Sequence, residues 1–212
     1  MKFEKLLEVF AGQPYFDYPA VRLHFQDERD HISRTALSRF VKRGSLLELK
    51  RGFYAFSEPY RTRPLNPLQL AQVLYAPSYI SELWALSWYG VIPEKVILIT
   101  SVTTRVTRTF KNTFGEYRYR TIDRRFFHSW QTEEILSEEV RIATPEKALL
   151  DLWYLEKGEW TVARMESMRF EPRIIDAERL YALAQNYPPR LIRAAKSWAI
   201  YAEQTTEGEI QL

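Results

Sequence analysis

Apolar positions recur at helical spacing three times in the first 44 residues and then switch to two short strand-like runs. Phe3, Leu6, Leu7 and Phe10 share one face of a helix predicted over 2–10, which Gly12 and Pro14 terminate. Asp17 reads as the cap of a second helix with Pro19 in its first turn, running to about residue 25. The polar stretch 26–31 is the expected turn. Ser33 is expected to cap a third helix over 33–43, closed by Gly44, a residue suited to a left-handed C-terminal position. Leu46–Leu49 and Phe53–Phe56 are then two apolar and aromatic runs joined by Lys50-Arg51-Gly52, which predicts a tight hairpin over 46–56 with a cationic tip. Three short helices followed by a basic-tipped hairpin describe a winged helix-turn-helix.

After a proline- and arginine-rich linker with Pro59, Pro64 and Pro67, the period changes twice more. Helices are predicted over 66–74 and 81–89, the second stopped by Gly90 and Pro93. Strands are predicted over 96–102, 107–110, 116–122, 126–130 and 140–143, with a turn at 112–115, making a small and mostly antiparallel sheet. Thr144-Pro145-Glu146 is a cap, a first-turn proline and an acid facing the positive end of a helix, whose buried stripe is Ala148, Leu149, Leu152, Trp153 and Leu155. Further helices are expected over 161–170, 176–186 and 189–203, with 204–212 frayed. The fold class is therefore α+β, with an N-terminal winged helix over 1–63 and a C-terminal domain over 64–212 carrying the small sheet and several helices.

The third helix separates its residues by face. Ala36, Leu37, Phe40 and Val41 form the stripe that packs inward, while Thr35, Ser38, Arg39 and Lys42 fall at i, i+3, i+4 and i+7 on the opposite side. Hydroxyls and cations are the groups that contact base edges and phosphates in a major groove, and Arg34 lies near the end that would enter it. With Ser33 and Arg43 at the helix ends and Lys50 and Arg51 at the wing tip, these residues are the candidate contacts to double-stranded DNA. Charge distribution agrees: Met1–Arg63 holds 12 Lys and Arg against 8 Asp and Glu, a net of +4, and the remainder of the chain is close to neutral. A solvated basic face without a partner carries the same charges.

Catalytic signals are sparse. Cys is absent, and His24, His31 and His128 are scattered without metal-ligand spacing, so neither metal nor cofactor is expected. Glycine-rich phosphate loops, nucleophile elbows and dinucleotide fingerprints are missing from the sequence. One constellation remains, Glu146, Lys147 and Asp151. It reads first as an acidic first turn with an i, i+4 ion pair, with a metal-dependent nuclease or phosphoryl-transfer enzyme using Glu146 and Asp151 as the alternative. No stretch approaches the roughly 18 apolar residues of a membrane span, and residues 1–12 alternate charge with apolar groups, so a cytoplasmic protein without membrane association is expected.

Four blocks of the second domain resemble a known family: Ala76-Pro77-Ser78-Tyr79-Ile80-Ser81; Ala85-Leu86-Ser87-Trp88-Tyr89-Gly90-Val91-Ile92-Pro93-Glu94; Thr100-Ser101-Val102-Thr103; and Ile142 through Asp151. Together with Arg51-Gly52-Phe53-Tyr54 in the wing, they resemble the AbiEi antitoxins of abortive-infection toxin–antitoxin systems. The resemblance implies a bacterial two-domain protein. Its winged helix would repress its own operon by binding promoter repeats, and its C-terminal domain would counter a nucleotidyltransferase-like toxin without a stable complex. Residues 156–212 carry no block of the resemblance.

Overall fold

The computed structural model describes residues 1–210, with side chains as far as residue 206. The chain divides into two compact units, Met1–Leu70 with Phe110–Gly115, and Ala71–Thr109 with Glu116–Leu212. The boundary expected after residue 63 thus falls inside the first unit.

In the first unit α1 (Phe3–Phe10), α2 (Tyr18–His24) and α3 (Asp30–Lys42) pack on a three-stranded antiparallel sheet. Leu6, Phe10, Phe16, Val21, Ala36, Leu37, Phe40, Leu46 and Phe56 make its core. Aromatic rings dominate it, with Phe10 stacked on Phe16 at 4.6 Å between centroids and Phe3 edge-on to Phe40 at 5.2 Å. Asp17 caps α2 as expected, its carboxylate accepting the Ala20 N–H at 2.8 Å.

α3 begins three residues before the expected start. Arg29 occupies the cap position in extended conformation without a side-chain cap, and Asp30 stands in the first turn, where a carboxylate meets the positive end of the helix. The Arg22 guanidinium draws the preceding turn tight by donating to the carbonyls of Phe25 (3.1 Å) and Glu28 (2.7 Å). Ser33 is consequently an interior helical residue, fully buried, rather than a cap. At the other end Gly44 takes φ +72°, and the Ser45 N–H returns to the Phe40 carbonyl at 3.0 Å.

β2 (Leu46–Lys50) and β3 (Phe53–Phe56) form the wing, and Gly52 supplies the φ of +74° that the turn requires. The register shifts between Glu48 and Lys50, a bulge that leaves the Glu48 side chain accepting the Gly52 N–H at 3.1 Å. A two-residue strand that the sequence pattern did not indicate, β1 (Phe16–Asp17), pairs with β3, opposing Phe16 to Tyr54.

The second unit is built on a larger, mixed sheet in the order β6-β7-β5-β4-β9-β8. Its strands are β4 (Ser78–Ile80), β5 (Ile99–Thr103), β6 (Arg108–Asn112), β7 (Gly115–Thr121), β8 (Trp130–Ile135) and β9 (Glu138–Ala143), the β6–β7 hairpin tip grouping with the first unit. The expected α+β fold holds, with β4 antiparallel to β5 and β8 antiparallel to β9, while β4 runs parallel to β9 and β5 parallel to β7, so that the sheet is mixed and, at six strands, larger than expected. The strand added to those expected is β4, three buried residues in the middle of the sheet that had no strand signal of their own. The strand expected over 126–130 is displaced: Phe126 ends a 3-10 turn (Arg124–Phe126) set by the Asp123 side chain, and pairing starts at Trp130.

Of the unit's helices, α5 (Glu82–Trp88) and α6 (Pro145–Leu155) pack on strands of this sheet, α8 (Ala177–Ala184) and α9 (Pro189–Ile210) pack on α6, and α7 (Val162–Ser167) packs on α9, while α4 (Pro67–Leu74) spans the division between the units. Thr144, Thr161 and Asp176 cap α6, α7 and α8 with their side chains. α6 is buried along nearly its whole length, from Glu146 to Trp153. The end expected to fray over 204–212 is helical through Ile210, and 211–212 lie outside the described residues.

Candidate nucleic-acid interface

A 13-residue helix with a single buried stripe must present the rest of its circumference outward. Ala36, Leu37 and Phe40 are buried and Val41 is half-buried, whereas Arg34, Thr35, Ser38, Arg39, Lys42 and Arg43 are exposed. Thr35, Ser38 and Lys42 occupy the middle of the exposed face, with Arg34 and Arg39 on its two sides. Ser33 does not join them, because it points into the core, where Arg22 approaches its hydroxyl at 3.5 Å. His31 does, one turn before Thr35 and exposed. The sequence pattern misses it because the helix was expected to start at Ser33. Thr35 donates its hydroxyl proton to the His31 carbonyl at 2.7 Å, so toward a ligand this oxygen acts as an acceptor.

Arg34 is held differently from its neighbours. Its Nε donates to Asp30 Oδ2 at 2.7 Å, and its guanidinium carbon sits 4.1 Å from the centre of the Tyr18 ring. The Tyr18 hydroxyl donates to the other Asp30 oxygen at 2.7 Å. These two bonds, Tyr18's first and then Arg34's, hold the Asp30 carboxyl below the usual carboxylate range. The Tyr18 phenol is raised, by desolvation first and then by its bond to Asp30. Tyr18 also ties the hairpin in, since its backbone N–H donates to the Gly52 carbonyl at 2.8 Å.

At the wing, Arg51 is exposed and Lys50 half-buried. The Lys50 ammonium lies 5.2 Å from the Phe53 ring centre and 6.0 Å from that of Phe110, which fixes its stem along the sheet. Helix face and wing tip belong to one compact unit joined through Tyr18. Between them the two segments expose cations, hydroxyls and the guanidinium held by Asp30.

The acidic constellation of the second unit is arranged otherwise. Asp151 is fully buried, with Oδ2 accepting from Tyr79 (3.0 Å) and Ser81 (2.7 Å) and Oδ1 paired with Lys147. Glu146 is 3% exposed, accepts the Asp176 N–H at 3.3 Å and faces Arg179 at 3.6 Å. Burial pushes the Lys147 ammonium down, against the pull of Asp151. Two carboxylates enclosed in this way present no open oxygens to a hydrated cation, and no group of three or more metal-ligating side chains occurs among the described residues. The i, i+4 ion pair is the reading that the geometry supports.

Residues 4–57 match the family described as transcriptional regulator, AbiEi antitoxin. That segment contains α1 to α3 and the wing, including the Arg51-to-Tyr54 block, while the four blocks between 76 and 151 lie outside it. Among curated proteins none matches the chain. The crystal structure of the RV2827C protein from Mycobacterium tuberculosis resembles it with a TM-score of 0.59 at 14% identity, over 94% of this chain and 76% of that one. At such identity the likeness speaks for the fold alone. No helix among the described residues is long and apolar enough to cross a membrane.

Proposed function

We propose that this chain is a DNA-binding transcriptional autorepressor and antitoxin of a bacterial abortive-infection system. In this reading α3 and the β2–β3 wing bind promoter repeats in the cytoplasm, and the second unit counters a nucleotidyltransferase-like toxin without forming a stable complex. A single observation carries the DNA-binding part: the exposed side chains of α3 alternate hydroxyls with cations, a basic hairpin follows directly, and the same residues match a family of transcriptional regulators. Thr35 and Ser38, at the centre of the helix face, face base edges; Arg39, Lys42 and Arg43 neutralise phosphates; Lys50 and Arg51 grip the backbone beside the groove. No cofactor has a part in this mechanism.

The test is a titration of the upstream duplex across a range of salt. Replacing Arg39 or Lys42 by Ala weakens binding, and the slope of log affinity against log salt drops by about one per lost phosphate contact. Lys50→Ala with Arg51→Ala lowers it further. A double variant that binds with unaltered affinity and slope removes the wing from the interface. For the antitoxin part, co-expression with the product of the adjacent gene restores growth, and failure of rescue leaves a regulator only.

A further inference from the structure

Of the exposed cations on α3, Arg34 is the one whose surroundings are built to aim it. Asp30 occupies its Nε, and the Tyr18 ring covers one face of its guanidinium. A guanidinium whose Nε is engaged keeps its two terminal nitrogens side by side, and that edge carries two parallel N–H donors. We infer that Arg34 reads a guanine through O6 and N7 in the major groove, with Asp30 and Tyr18 as its positioning residues, while Arg39 and Lys42 take phosphates. The inference rests on the DNA-binding reading above.

Three further observations favour a base over a phosphate as the target. Asp30 is 58% exposed and stays ionised beside the guanidinium, so a phosphate approaching Arg34 meets a second negative charge, whereas a neutral base edge does not. An ion pair this exposed returns little stability, so the consequence of the cluster is orientation. Orientation matters most for a long side chain whose rotamer freedom is otherwise lost on binding. Tyr18 also bonds the wing tip through Gly52, so the residue that directs Arg34 fixes the hairpin beside it. Guanine alone presents two acceptors on its major-groove edge; adenine puts a donor beside N7 and cytosine offers a donor only.

The test uses the full chain and a duplex that the wild-type protein enriches from a randomised pool. Each guanine of that duplex is replaced in turn by 7-deazaguanine, which lacks the N7 acceptor. The wild type loses roughly tenfold or more in affinity at one guanine per bound repeat, and Arg34→Lys, which cannot form the fork, is indifferent to the same replacement. Asp30→Ala and Tyr18→Phe reduce the ratio of affinities for the enriched and a scrambled duplex, and Asp30→Ala at the same time strengthens binding to the scrambled one. A purely structural role for Asp30 predicts equal weakening on both duplexes. An Arg34→Lys protein with the wild-type 7-deazaguanine profile, or an Asp30→Ala protein with unchanged discrimination, overturns the inference and leaves DNA binding standing. A wild-type protein that enriches no duplex overturns the DNA-binding reading and the inference together.

Discussion

Glu82 and Asp151 are both buried carboxylates of the second unit, yet their surroundings differ in how fully they satisfy the charge. Asp151 has Lys147 on one oxygen and two hydroxyls on the other. Glu82 has Arg120 on Oε2 at 2.7 Å, while its buried Oε1 has no hydrogen-bond partner among the described residues, and its backbone sits at φ +55°. Arg120 is moreover shared, pairing with Glu156 at the same distance. Burial therefore outweighs the guanidinium and pushes the Glu82 carboxyl from its ordinary 4.5 up to about 7. Between these two values the folded chain holds a proton that the unfolded chain releases, so this group makes stability fall as pH rises from about 4.5 to about 7. Glu82→Gln keeps the shape and removes the titration. Urea unfolding at a series of pH values should show a shallower decline over that window in the variant, and an unchanged slope would assign the pH dependence to other groups.

At the scale of elements, helix ends legible in the sequence are those made by a side chain reaching its own first turn. Asp17, Thr144, Asp176 and Thr161 all do this, and α2, α6, α8 and α7 start beside them. Asp17→Ala leaves the Ala20 N–H without its acceptor and should cost about 1 kcal/mol. Thermal unfolding measures it, with Asp17→Asn losing much less because its side-chain oxygen still accepts. The start of α3 was not legible, since it depends on Arg22 reaching across the turn to the carbonyls of Phe25 and Glu28. β1 and β4 escaped for a related reason: strands of two and three residues have no period to read and exist through partners distant in sequence, Tyr54 for Phe16 and Val102 for Tyr79. The outward face of α3 survived the misplaced start because the 3.6-residue period is independent of where a helix begins. Only its ends moved, gaining His31 and losing Ser33 to the core. The clamp on Arg34 was invisible along the chain, as it joins residues 18, 30 and 34 across two helices.

At the scale of the whole molecule, charge counted by stretches is a poor guide until partners are known. Residues 105–125 carry seven cations (Arg105, Arg108, Lys111, Arg118, Arg120, Arg124, Arg125) against Glu116 and Asp123, a basic run hidden by the near-neutral total of the C-terminal two-thirds. Several of these cations are already engaged: Arg120 with Glu82 and Glu156, Arg125 with Asp123, Arg105 over the Tyr75 ring. On α3 the exposed cations Arg39 and Lys42, with Arg43 at its cap, share the helix that carries the hydroxyls, and Arg39 lies 5.5 Å from the centre of the Phe40 ring. The first unit has an aromatic core of its own, and in the second α5 and α6 pack on strands of the sheet. Substitutions at exposed positions of a helix leave buried cores undisturbed, and effects of residues that share no partner are close to additive. Arg39→Ala with Lys42→Ala should therefore abolish tight operator binding while leaving growth rescue against the adjacent gene product intact. Gel shift and co-expression growth on the same variant measure the two outputs. If rescue disappears together with DNA binding while the protein remains folded and abundant, the antitoxin effect runs through transcription, and the second unit has no separate part in it.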